Sequence, residues 1–126
     1  MYYLSREFTF DAAHKIIDYQ GKCEKLHGHT YRLKVTVVGK LGDNEMVIDF
    51  AVIKKIVNEM IIDKLDHGYL NDLFPNSTTE IVTRWIYTTL LPVFKKYGCT
   101  MYEVSLSEGA NNTVTFRGDS DERHTE

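Results

Sequence analysis

Cys23, Glu24, His27 and His29 fall within seven residues, written C-E-K-L-H-G-H, and His14 precedes them. On an extended chain, side chains alternate faces, so histidines at i and i+2 point the same way. A third histidine from a neighbouring strand completes a three-imidazole site for Zn²⁺. Three protein ligands leave one tetrahedral position open, as in catalytic zinc centres. The thiol of Cys23 and the carboxylate of Glu24 then sit beside the metal, where a thiolate serves as base or nucleophile. Asp66-His67 is a carboxylate tethered to an imidazole, a general acid/base pair if its loop faces the metal.

Each of these residues also has a plainer reading. A lone His14 is more often a packed or surface residue than a ligand, and Cys23 more often a small buried hydrophobe. A closed Cys-His₃ structural site with Cys23 as fourth ligand is a further alternative. Asp66-His67 can be only a helix-terminating turn. His27-Gly28-His29 favours ligation, because glycine lets backbone approach closely between the ligands. His124, in a polar tail, reads as solvated. Glu108 keeps the parity of Tyr102, Val104 and Leu106, which places a carboxylate on the core side of a strand. There it must be paired or hydrogen-bonded, and it suits the N–H edge of a flat heterocycle. Alternatively the strand stops at Ser107 and Glu108 belongs to the turn.

These side chains need a scaffold. The chain has 126 residues, 43% hydrophobic and 26% charged, the profile of one ordinary soluble domain. We expect one domain over residues 1–118 and a polar tail over 119–126. A net charge of −3 argues against a nucleic-acid partner. No apolar run is long enough to span a bilayer, and the N-terminus lacks a signal-peptide pattern. Two cysteines make no disulfide framework, so a cytoplasmic location is expected.

Residues 3–10 and 31–38 read as strands, the latter with Leu33, Val35 and Val37 alternating against Arg32, Lys34 and Thr36. The turn chemistry of 39–45 predicts a hairpin between 31–38 and 46–49. Asp49 is the expected N-cap of a helix over residues 50–63. Ser77-Thr-Thr-Glu80 fits a capping box opening a second helix to residue 97, kinked or broken at Pro92 and closed by Gly98. Residues 101–107 and 112–117 form a closing hairpin. The order predicts an α+β fold, an antiparallel sheet with two helices on one face, and open edges that invite pairing with another copy.

Several motifs now coincide. Cys23-x₃-His27-Gly-His29, His14 in F-D-A-A-H, Leu65-Asp66-His67, Asn76-Ser-Thr-Thr-Glu80, and Glu108 before Phe116-Arg-Gly together resemble the 6-pyruvoyltetrahydropterin synthase and 6-carboxytetrahydropterin synthase family. The resemblance runs from about residue 5 to 118. It implies the tunnelling fold, whose subunits join sheets into a β-barrel, usually as homohexamers with sites shared between subunits. It implies Zn²⁺ on His14, His27 and His29, Cys23 as the proton-abstracting thiolate, and Asp66 and His67 as a proton relay. Glu108 would anchor the pterin ring, with backbone groups near Thr78 and Thr79. The implied substrate is 7,8-dihydroneopterin triphosphate, in a lyase reaction.

The product is the open question. The three-residue spacer from Cys23 to His27 resembles the 6-carboxytetrahydropterin synthases of queuosine biosynthesis; animal-type pyruvoyl enzymes carry a longer one. A folate-synthesis branch, forming 6-hydroxymethyl-dihydropterin, uses E-x₂-H-G-H, which Glu24 also satisfies. The combined pattern resembles a subgroup able to do both reactions, with Glu24 as second base or as solvated bystander. Phe116 stands where many relatives carry tyrosine. A non-catalytic zinc or pterin-binding module is the competing class.

Overall fold

A computed structural model describes residues 1–16 and 26–119. Cys23, Glu24 and the tail beyond Asp119 lie outside the described residues. Strands β1 (Tyr2–His14) and β2 (His27–Gly39) pair antiparallel along their whole length, from Tyr2 opposite Gly39 to His14 opposite His27. Alternation sends Phe10, Ala12 and His14 of β1, and Tyr31, Leu33, Val35 and Val37 of β2, to the buried face. Thr9, Asp11, Arg32 and Lys34 take the other, solvated face.

Strand β3 (Gly68–Tyr69) pairs parallel with Ala12 and Ala13 of β1, while β4 (Thr100–Glu108) and β5 (Asn112–Phe116) continue the sheet beyond β2. The order is β3-β1-β2-β4-β5, and the sheet is open. The expected pairing of 46–49 with β2 does not occur. Both edges of β2 are already taken, by β1 and β4, so no backbone groups remain for a third neighbour. The register of β4 shifts opposite Thr36 and Val37. That bulge places Met101, rather than the expected Tyr102, in the core, while Val104 and Leu106 keep the anticipated side. Glu108 stays within the strand, so the turn reading of this residue is set aside.

Asp49 caps helix α1 (Phe50–Val57) by accepting from the Ala51 N–H at 2.8 Å. The helix passes through a π turn (Asn58–Ile62) into the short α2 (Asp63–Leu65). Ile53, Ile56, Val57, Ile61 and Leu65 all reach the core across this change of pitch. Helix α3 (Thr79–Lys95) begins one residue later than the capping box suggests: Thr78, not Ser77, accepts from the N–H of Ile81 at 3.2 Å. Ser77 is fully buried and used elsewhere. Pro92 does not break α3, which runs on to Lys95. The proline denies an N–H only to Thr88, an exposed position where water can replace it. Gly98, at φ 79°, ends the helix in a Schellman arrangement, with Gly98 N–H on Lys95 and Cys99 N–H on Phe94.

Both helical stretches pack on the apolar sheet face around one core that includes Leu33, Val35, Ile53, Ile86, Leu90 and Leu106. No helix among the described residues is long and apolar enough to cross a membrane. Thr78→Ala removes the cap of the longest helix, and we expect it to lower unfolding free energy by about 1 kcal/mol in denaturant titration.

Candidate metal centre and adjoining cleft

The β1–β2 register decides where the histidines meet. His14 lies directly opposite His27, and His29 opposite Ala12, so all three imidazoles share the helix-covered face. His14 Nε2 and His27 Nε2 stand 3.2 Å apart. Two ligand nitrogens at ordinary Zn–N lengths in tetrahedral geometry stand about 3.3 Å apart, so the spacing suits a shared cation. His14 Nδ1 lies 3.0 Å from the carbonyl oxygen of Ser77. A carbonyl can only accept, so Nδ1 carries the proton and the lone pair of Nε2 faces the other rings.

Glu108 completes the group. It sits opposite Tyr31 on β4, and its parity aims the carboxylate at the histidines. Oε1 lies 3.6 Å from His14 Nε2 and 2.5 Å from His29 Nε2, while Oε2 accepts from the Thr79 hydroxyl at 2.9 Å. The His29 nitrogen is buried and makes no aligned hydrogen bond despite that proximity. A buried ring nitrogen aimed at two neighbouring imidazoles and a carboxylate is what a cation would satisfy. Ligand atoms of His14, His27, His29 and Glu108 lie within 4.8 Å of one another. Burial lowers the pKa of His29, opposed by Glu108 and assisted by His27 and His14. The neutral ring that results is the form that binds metal. The donor set fits Zn²⁺.

Asp66 and His67 gather elsewhere. At the end of α2 the chain turns, with His67 in the left-handed region at φ 59°, held by its N–H on the Asp11 carbonyl at 2.6 Å. Asp66 Oδ1 accepts from the Asp11 N–H at 2.9 Å, and Oδ2 lies 3.0 Å from His67 Nδ1. The Asp11 N–H, and then His67, hold the Asp66 carboxyl below its usual range. The Thr30 hydroxyl donates to Asp11 Oδ1. Asp66 and His67 therefore form a group with Asp11 and not with the histidines. A shallow cleft of about 380 Å³, lined by Asp11, Ala12, Ala13, Gly28, His29, His67 and Gly68, lies beside the Asp11–His67 group.

Gly28 has a different use from the one expected. A Cβ there would meet only the Ala12 carbonyl oxygen, at an ordinary 3.8 Å, so packing does not demand glycine. A side chain at this position would instead stand in the cleft that Gly28 lines.

Of the expected site residues, the structure brings together His14, His27, His29, Glu108 and Thr79, and sets Asp66 and His67 in a separate group with Asp11. Thr78 spends its hydroxyl on capping α3. Cys23 and Glu24, in the segment between β1 and β2, lie outside the described residues. Sequence reasoning missed the Ser77 carbonyl behind His14. It also missed Asn71 and the Asp11–Thr30 pair. Backbone acceptors and side-chain amides carry no spacing signature.

The family model of 6-pyruvoyl tetrahydropterin synthase matches residues 3–119. The chain belongs to the 6-pyruvoyl tetrahydropterin synthase family. Among family relatives, it is 41% identical over 87 residues to a 6-carboxy-5,6,7,8-tetrahydropterin synthase of Haemophilus influenzae, covering 66% of this chain and 62% of that protein. It is 42% identical over 80 residues to the dihydroneopterin monophosphate aldolase of Pyrococcus furiosus, covering 62% of this chain and 65% of that one. Each match thus spans less than two thirds of the relative. The solved structure of Caenorhabditis elegans 6-pyruvoyl tetrahydropterin synthase superimposes with a TM-score of 0.82 at 28% identity, over 94% of this chain and 96% of that one. These relatives support a tetrahydropterin synthase role, a lyase activity.

Within this family scaffold, Gly28→Val tests the cleft. We expect the variant to fold and to leave zinc titration of the histidine group unchanged from wild type, but to lose about 100-fold in kcat/KM if the cleft holds substrate, the loss that can follow when bulk displaces a substrate by an ångström. Paired calorimetric zinc titrations and turnover assays would show the separation.

Proposed function

We propose that the protein is a zinc-dependent 6-carboxy-5,6,7,8-tetrahydropterin synthase acting on 7,8-dihydroneopterin triphosphate, in the route to queuosine and related 7-deazapurines. The observation that carries this reading is the convergence of His14, His27, His29 and Glu108 in a chain of this family. His14, His27 and His29 would hold the ion. Bound there, Zn²⁺ supplies Lewis-acid polarisation of side-chain oxygens on the pterin.

The chain's own residues do the rest. Glu108 anchors the pterin ring rather than serving as a permanent fourth ligand, because three imidazoles leave the open position that catalysis needs. The Thr79 hydroxyl holds Oε2, and Oε1, which faces His29 and His14, would accept N–H donors from a heterocycle edge once the imidazoles hold the ion. The peptide groups at Thr78 and Thr79 begin α3, where helix N–H groups favour a polar ring edge or anion. Cys23 removes the initiating proton as a thiolate. His67 carries a proton at Nε2, with Asp66 on Nδ1 stabilising the charged ring. The two groups lie apart in one chain, and a homohexamer with sites shared between subunits would complete them. The protein works in the cytoplasm and needs neither nucleic acid nor membrane.

A second reading is favoured by one observation, the similarity to an aldolase noted above. Glu24 beside Cys23 would then act as the alternative base, giving 6-hydroxymethyl-7,8-dihydropterin for folate synthesis, alone or as a dual activity. Incubating the zinc-loaded protein with 7,8-dihydroneopterin triphosphate separates the possibilities. 6-Carboxytetrahydropterin with acetaldehyde supports the first reading, the hydroxymethyl pterin the second, and 6-pyruvoyltetrahydropterin the pyruvoyl branch. Absence of any product leaves a zinc or pterin-binding module and sinks the enzyme reading.

Two variants divide the roles. Cys23→Ala should abolish 6-carboxytetrahydropterin formation while keeping its zinc content by atomic absorption; loss of zinc would indicate a closed Cys-His₃ site. Glu24→Ala should spare that product and remove only the hydroxymethyl one, and loss of both would refute this division.

A further inference from the structure

His14 is held from behind by a compact set of hydrogen bonds that the proposed chemistry does not use. Its Nδ1–H donates to the carbonyl of Ser77 at 3.0 Å. The Ser77 hydroxyl donates to Asn71 Oδ1 at 2.7 Å and reaches the Lys15 carbonyl at 3.4 Å. Asn71 engages Lys15 in both directions, accepting from its N–H at 2.9 Å and donating from Nδ2 to its carbonyl at 2.8 Å. The amide orientation is unambiguous. Oδ1 takes two donors, and the reversed amide would set Nδ2 against the Lys15 N–H.

Lys15 is the residue at which the sheet stops supporting β1. Pairing with β2 ends at His14–His27, and pairing with β3 covers only Ala12 and Ala13. One side-chain amide there does the work of a further strand residue, immediately after a metal ligand. The same amide fixes the serine whose carbonyl sets the His14 tautomer. We propose that Asn71 is a positioning residue for the metal centre, acting on His14 from both sides, through the Lys15 backbone and through Ser77. Asn71 touches no proposed reacting atom. It belongs to the turn Leu70–Asp72, and buried Leu70 anchors that turn to the core.

This inference rests on His14 being a zinc ligand, so its test measures zinc directly. The full-length protein is titrated with Zn²⁺ against a chromophoric chelator, beside thermal unfolding of the zinc-free forms. Asn71→Leu keeps volume and removes all three hydrogen bonds. Zinc affinity should fall about 10- to 100-fold, the usual loss when an outer partner of a ligating histidine is removed. Asn71→Asp keeps the acceptor for Lys15 N–H and Ser77 O–H and should recover most of the affinity. Ser77→Ala keeps the carbonyl on His14 and the Asn71–Lys15 bonds, removing only the hydroxyl's contacts to Asn71 and the Lys15 carbonyl, so a smaller loss is expected.

A merely structural asparagine would lower the zinc-free melting temperature and leave affinity unchanged in the folded variant. Affinity of folded Asn71→Leu within about twofold of wild type overturns the proposal, being far less than an outer-partner loss. Should that variant not fold, unchanged affinity in Ser77→Ala overturns it instead. Failure of the wild-type protein to bind zinc would overturn the underlying ligand assignment, which is a distinguishable result.

Discussion

The site depends on one constraint: the unbroken antiparallel register of β1 against β2. Thirteen residues of each strand pair without a slip, ending with His14 opposite His27. A slip of one residue would turn all of one strand's side chains to the other face, exchanging Phe10 and Ala12 for Thr9 and Asp11 in the core. Register is thus enforced by the same apolar surface that supports the sheet. The ligands inherit their geometry from it. Nothing local to the histidines has to specify where they meet.

Around that pair the chain places groups of opposite electrostatic character. The histidine group is partly desolvated, which keeps His29 neutral, with one carboxylate at its margin. A divalent cation held there by the imidazoles would keep a positive field toward its open position. The Asp66–His67 pair stands in water, with His67 80% exposed, and its polarity comes from backbone N–H groups and from proximity.

How much of this was legible followed from whether each feature obeys a local rule. Strand parity is local, so His27 and His29 could be read as sharing a face, whereas parity alone left Glu108 open between strand and turn until the β4 pairing fixed it. The Asp49 cap and the Gly98 terminus are equally local. Edge competition is not: residues 46–49 carry acceptable strand residues, but nothing in them reveals that β4 occupies the edge they would need. Ser77 and Thr78 are both good caps, and the choice was made by burial of Ser77 against Asn71 and Lys15, a contact between distant segments. The bulge at Thr36–Val37 misled the parity of Tyr102 for the same reason. Cys23 and Glu24 were legible as chemistry while their placement lies beyond the described residues.

His14 and His27 also close the hairpin at its connected end, separated only by the segment 15–26, whereas Asn71, Ser77 and Glu108 arrive from far along the chain. Closing so short a loop costs little chain entropy, and each doubling of loop length adds only about 0.6 kcal/mol. Two ligands can therefore meet as soon as the first hairpin forms, before the helices have docked. The remaining groups join only with the complete fold. If the centre holds a metal, an early two-histidine site would bind it weakly, and tight retention would mark completed folding.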